Sequence, residues 1–214
     1  MRTRIRSYER ALRREQERFG FIRDGAGKRY MLGPLYVLMD DMEGALQSFA
    51  WLAETFPDDS GEPLHFLCWT LALYRTGQME QAAAKLCQTM LSNLYLIPRL
   101  LGLDQEVIGM WPPSNLSEKS YVDSSPGKLF AVWKPSALQW VYSLYHSEPM
   151  RRVRDRYIAI YTELKEEPPG PKRSRLVEEA YELQYSTLQQ RGVLFHAYEI
   201  LLEALDAYLE QVAE

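Results

Sequence analysis

The stretch Asp24 to Gly33, DGAGKRYMLG, contains a Gly-Ala-Gly-Lys core of the kind that can cradle a phosphate. A phosphate loop needs a glycine five residues ahead of the Gly-Lys pair, a hydroxyl residue after the lysine and a buried strand leading in. Here Ile22 stands at the glycine position and Arg29 at the hydroxyl position, and ERFGFIRD makes no buried strand. A dinucleotide fingerprint fails as well, because Tyr30 occupies its third glycine. The three histidines, His65, His146 and His196, are far apart and lie in apolar helical contexts. Glu178, Glu179 and Glu182 share a segment with Tyr181 and Tyr185, but no Glu-x-x-His pair accompanies them to build a di-metal site. Cys68 and Cys87 lack the spacing of a zinc or dithiol motif. These residues predict no catalysis, no cofactor and no metal.

Charge is the remaining chemistry. Residues 1–29 hold ten lysines and arginines against four acids, about +6, so the rest of this −4 chain sits near −10. Arg2, Arg4, Arg6, Arg10, Arg13 and Arg14 form the densest cluster, and Arg151, Arg152, Arg154 and Arg156 a second. The glutamates interleaved in SYERALRREQERFG predict a solvated helix face laced with ion pairs. The alternatives are an intramolecular clasp onto the acidic remainder of the chain and a phosphate-contacting helix of a nucleic-acid-associated regulatory protein, with Tyr8 near enough to stack on a base.

The elements that position these residues read as helices throughout. Ile5, Tyr8, Leu12 and Phe19 make one apolar stripe over residues 2–18, and Gly20, Gly25 and Gly27 break it. Helical segments of about a dozen residues fill 30–102, where NLYLIPRLLG suits a further helix. Residues 103–129, rich in Pro, Ser and Gly, predict an irregular connection partly anchored by Trp111 and Tyr121, with Trp133 just beyond. Helices resume at Pro135 and near Pro149, EEPPGPKRS interrupts, and Arg175 to Glu214 reads as one long helix or two halves split near Arg191-Gly192. Strand-like alternation with hairpin signals appears nowhere, so the expected fold is all-α. No apolar run is long enough to cross a membrane, no secretory signal pattern opens the chain, and a reducing cytoplasm fits two unmotifed cysteines.

Within 30–93 the residue sizes carry a pattern. Leu32-Gly33, Tyr36, Ala45, Phe49 and Pro57 follow the spacing L-G-x2-Y, A-x3-F and closing P, with Asp40-Asp41 at the turn. A second unit, 37 residues on, places Phe66, Thr70, Leu73, Gly77, Glu80, Ala82 and Leu86 at the corresponding positions. The extra residues fall within PDDSGEP. This stretch resembles two tetratricopeptide (TPR) repeats, helix-turn-helix units in which small residues let helices touch and large ones fill the gaps between units. The resemblance implies a helical-repeat superhelix. It divides the chain into a basic helix and glycine-rich hinge (1–29), two helix pairs plus a following helix (30–102), an irregular connection (103–129) and C-terminal helices that cap the stack (130–214).

It also implies a concave groove lined by Tyr30, Pro34, Val37 and Leu38 from the first unit and Leu67, Leu71, Tyr74 and Arg75 from the second. Such a groove would receive a peptide or amphipathic helix of a partner protein, unless the chain's own C-terminal helices fill it. The expected function is therefore a protein–protein adaptor or scaffold without catalysis, with self-association a further option.

Overall fold

The computed structural model describes residues 1–185; the predicted helix or helices beyond, with His196, lie outside the described residues. The described chain is helical, and no strand occurs among the described residues, as the patterning predicted. Five helices come first: α1 (Arg2–Phe19), α2 (Lys28–Val37), α3 (Met42–Thr55), α4 (Pro63–Arg75) and α5 (Met79–Ser92). The short α6 (Leu96–Leu101) follows. A 3-10 turn (Asn115–Ser117), α7 (Lys119–Asp123) and α8 (Lys128–Ala131) lie in the connection, before α9 (Pro135–His146), α10 (Glu148–Glu163) and α11 (Pro171–Tyr185).

The pairs α2/α3 and α4/α5 are tight hairpins that also pack on each other through α4. Gly33 shows why the first pair closes. A Cβ added there would sit 2.0 Å from Phe49 Cε1, so the ring of α3 occupies the space a side chain would need. Asp41 caps α3 by accepting from Gly44 N–H (2.9 Å), and Glu62 caps α4 by accepting from His65 N–H (2.7 Å). Pro63 stands at the first position of α4, where its missing N–H costs nothing.

The second half of α5 is enclosed on every side: each residue from Lys85 to Pro98 is buried. α4, α6, α10 and α11 pack around it. The core is accordingly continuous from Val37 to Ala180. A smaller cluster of Ile5, Leu12, Leu32 and Leu35 attaches α1 to α2.

The connection over 103–129 is anchored to this body. The Asn93 side-chain amide donates to the carbonyls of Leu116 (2.7 Å) and Glu118 (3.1 Å). Trp111 N–H donates to the Tyr161 carbonyl (3.0 Å), while Val122 and Leu129 are buried. Trp133 is buried as expected, whereas the Trp111 side chain stays exposed, with Arg173 stacked on it.

The segment read as a hinge is a fixed corner. Glu15 accepts from the N–H groups of Arg23 (3.0 Å) and Asp24 (2.9 Å). The buried Asp24 carboxylate then accepts from Lys28 (2.8 Å) and Arg29 (2.7 Å), the first N–H groups of α2. Both ends of the loop are thus tied, and α2 starts two residues ahead of Tyr30.

Replacing Gly33 with alanine should lower stability by roughly 1–3 kcal/mol through overpacking against Phe49. Gly25→Ala, whose added Cβ meets nothing within 4 Å, should leave the urea midpoint in place.

Candidate functional site

Three sets of residues could bind or react: the groove positions, a buried polar cluster beside them, and the arginines of α1. The structure treats them differently.

The groove positions are occupied by the chain itself. Val37, Leu67 and Leu71 are 1% exposed or less and belong to the core, so they have no surface to offer a partner. Pro34 is buried too. Tyr74 lies against the ring of Trp140 from α9, with centroids 4.9 Å apart. Arg75 donates to the Val132 carbonyl (2.7 Å) and forms an ion pair with Asp40, linking the end of α8 to the turn between α2 and α3. Leu38 is half-buried against the same core. Of the two alternatives, a groove open to a partner and one filled by the chain itself, the burial of these residues fits the second, with Tyr74 against Trp140 of α9.

Tyr30 faces the other way. Its hydroxyl donates to Asp59 (2.5 Å), which also pairs with Arg29 (2.7 Å). Burial, then the bond to Asp59, pushes the phenol up to about 12.

Beneath Tyr30 lies a polar cluster that the sequence reading missed. Pro34 has no N–H for the Tyr30 carbonyl four residues back. His65 Nδ1 lies 3.4 Å from that oxygen and donates to it. A carbonyl can only accept, so the proton sits on Nδ1 and Nε2 carries the lone pair. The imidazole is fully buried among Tyr30, Phe49, Phe66 and Trp69, and burial drives it down to about 3. It is a neutral packing residue, not a base.

Lys85, 6% exposed, lies on the same side of α4. Its ammonium sits 3.8 Å from the Trp69 ring centroid and donates to Gln88 Oε1 (2.8 Å). Burial pulls it down to about 7 and raises Glu62 to about 7. Leu86, Gln88 and Thr89 beside it on α5 are buried, while Gln81 one turn before it is exposed. The only sequence signal was a lysine at helical spacing from Ala82, Gln88 and Thr89, all buried.

The remaining candidates are structural or dispersed. Cys68 and Cys87 are free and buried, and burial raises both thiols, Cys87 to about 12. His146 is exposed beside Tyr142 and Tyr145. Glu179 pairs with Arg156 (2.5 Å), and Glu178 lines an open trough of about 570 Å³ along α11 with Arg173, Ser174, Val177 and Tyr181. Among the described residues no group of three His, Cys, Asp or Glu could hold a metal.

The two basic clusters then diverge. In the second, Arg152 meets Glu148 (3.6 Å), Arg154 stacks on Tyr145 beside Asp155 (3.6 Å), and Arg156 meets Glu179. In α1, by contrast, Arg2, Arg4, Arg6, Arg10, Arg13, Arg14 and Arg18 are all exposed. None makes an ion pair among the described residues. Two of the three glutamates expected to pair with them are used elsewhere: Glu9 accepts from the Tyr36 hydroxyl (3.1 Å), and Glu15 caps the corner after α1. Projected at 100° per residue, the seven arginines occupy the arc opposite Ile5 and Leu12, with Glu17 the sole acid among them. Where the sequence predicted an ion-paired face, the arginines of α1 make no ion pair among the described residues.

No family model matches the chain, and neither the curated proteins nor the solved structures searched contain a significant match.

Lys85 yields a pH signature. Its proton is held up to about 10.5 when unfolded but only to about 7 when folded, so between those values the unfolded chain binds the extra proton. Stability from this group is full above the upper value and lost as pH falls towards 7, at up to about 1.4 kcal/mol per pH unit. Lys85→Met should therefore be more stable than the parent near pH 7, and urea titrations should show that advantage shrinking as pH is raised towards 10.

Proposed function

We propose that this protein acts by non-covalent binding, as an adaptor or scaffold without catalysis, and that its contact surface is the outer face of α1. The observation that carries this reading is the row of seven exposed arginines with no ion pair among the described residues. Unpaired guanidiniums repel one another, and seven on one helix cost stability unless a partner supplies anionic charge. Arginine rather than lysine at every basic position of α1 suits a partner whose anionic groups accept paired N–H donors, as carboxylates and phosphates do.

The helix pairs serve as the frame. Gly33 beneath Phe49, and Ala45 and Ala82 with no exposure, support the TPR-like reading of residues 30–93, since each is small where that repeat needs helices to touch. In this reading the concave side, filled by α9, is spent on rigidity, and recognition moves to the helix flanking the first pair. Among the described residues no helix is long and apolar enough to cross a membrane. Two buried free thiols support a reducing compartment such as the cytoplasm.

Charge reversal tests the surface. Arg6→Glu/Arg10→Glu/Arg13→Glu should retain the far-ultraviolet circular dichroism of the parent yet elute from heparin at a much lower salt concentration. Unchanged elution would sink the arginine-face reading. Leu71→Ala serves as the contrast: it should cost about 2–5 kcal/mol of stability, as a core deletion does, while leaving heparin elution in place.

A further inference from the structure

The arginine face ends in an aromatic platform. Phe19 is the last residue of α1, and Gly20, in the left-handed region at φ 76°, turns the chain sharply. Phe21 is thereby brought beside Phe19, ring centroids 6.3 Å apart and 44° tilted. Both rings are open to solvent, at 41% and 52% exposure. Guanidiniums lie over them: Arg18 at 5.1 Å from the Phe19 centroid, and Arg23 at 5.0 Å from Phe19 and 5.4 Å from Phe21. Arg18 belongs to the arginine face as well, so it joins that face to the platform.

Neither ring contributes to the core, although the stripe Ile5, Tyr8, Leu12 and Phe19 predicted that Phe19 would. Two exposed phenyls layered with arginine offer stacking as their interaction with a partner. We infer that α1 and the Phe19–Phe21 turn bind single-stranded nucleic acid, with phosphates held along the arginines and an unpaired base stacked on the phenyl–guanidinium platform. The inference rests on the reading of α1 as a polyanion-binding face and adds the chemical class of its partner.

The alternatives use less of what the surface presents. A duplex keeps its bases stacked on one another, so the platform would stand idle. An acidic peptide would likewise take the arginines and leave the rings. A membrane-surface helix needs a free apolar face, and that of α1 is already spent, with Ile5 and Leu12 buried against α2. The helix is also long enough for an extended site: sixteen residues separate Arg2 from Arg18, about 24 Å at the helical rise.

The test is fluorescence anisotropy of the full chain with a labelled oligothymidylate of about twelve nucleotides, a length within the range of known single-strand sites. A duplex of the same length, phosphatidylserine vesicles and a heparin column serve as comparison arms. The parent should prefer the single strand, with a log–log salt slope of about −3 to −5 if four to seven arginines contact phosphate. Phe19→Ala/Phe21→Ala should weaken oligothymidylate binding about tenfold while its heparin elution stays at the parent value. The Arg6→Glu/Arg10→Glu/Arg13→Glu variant should lose both. Equal binding of oligothymidylate by the phenylalanine variant overturns the platform, as does tighter binding of the duplex or the vesicles. In those cases the arginine-face reading survives through heparin. Loss of both heparin retention and oligothymidylate binding in the parent overturns the two together.

Discussion

The contact between Gly33 and Phe49 is the constraint on which the rest of the structure depends. With no side chain at Gly33, α2 approaches α3 closely enough for the Phe49 ring to fill the gap. That same ring reaches the next helix pair: it stacks on Trp69 of α4 (5.3 Å, 10°) and meets His65 edge-on (4.7 Å). One phenyl thus sets the spacing within the first pair and the docking of the second. Because interiors are close-packed, a shift of α2 would propagate to α4 and from there to α5, which α4 contacts most extensively.

Around that contact the structure solves a backbone problem in an unusual way. Proline within α2 leaves the Tyr30 carbonyl without its helical donor, and a buried carbonyl left unpaired is costly. His65 supplies the proton, which fixes its tautomer and makes the imidazole part of the helix packing. The same aromatic surroundings hold the Lys85 ammonium over Trp69. A cation kept there loses hydration and regains only part of it from one amide oxygen and the ring faces, so the cluster carries unspent destabilisation that a purely apolar core would lack.

The sequence made the helices legible because 3.6-residue periodicity and the Gly and Pro punctuation are local signals. The small residues Gly33, Ala45 and Ala82 were legible for the same reason: size at fixed spacing reports helix contact. The occupancy of the groove was not. Tyr74 looks the same as a residue whether a partner or Trp140 lies against it, and Trp140 is some sixty-six residues away in sequence. Lys85 was missed because a lysine among alanines reads as the solvent side of a helix, whereas here it lies over the Trp69 and Phe66 rings of α4. Phe19 was misplaced in the other direction: it keeps the period of the apolar stripe but falls where α1 has run past the body it packs on.

The arginine face shows how composition can mislead about a surface. Counted along the chain, the glutamates of α1 nearly balance half its arginines, and a mixed face follows. What decides the field is direction. Glu9 turns to a tyrosine hydroxyl on α2, and Glu15 spends its carboxylate on two backbone N–H groups, bonds that hold it below its usual titration range. Both acids are therefore committed to attaching α1, and the attachment fixes which arc of the helix faces water. The positive surface is a consequence of how the helix is held: the acids are drawn inward as caps and anchors, and the arginines are left outward. The bonds that dock the first helix thus also segregate its charge.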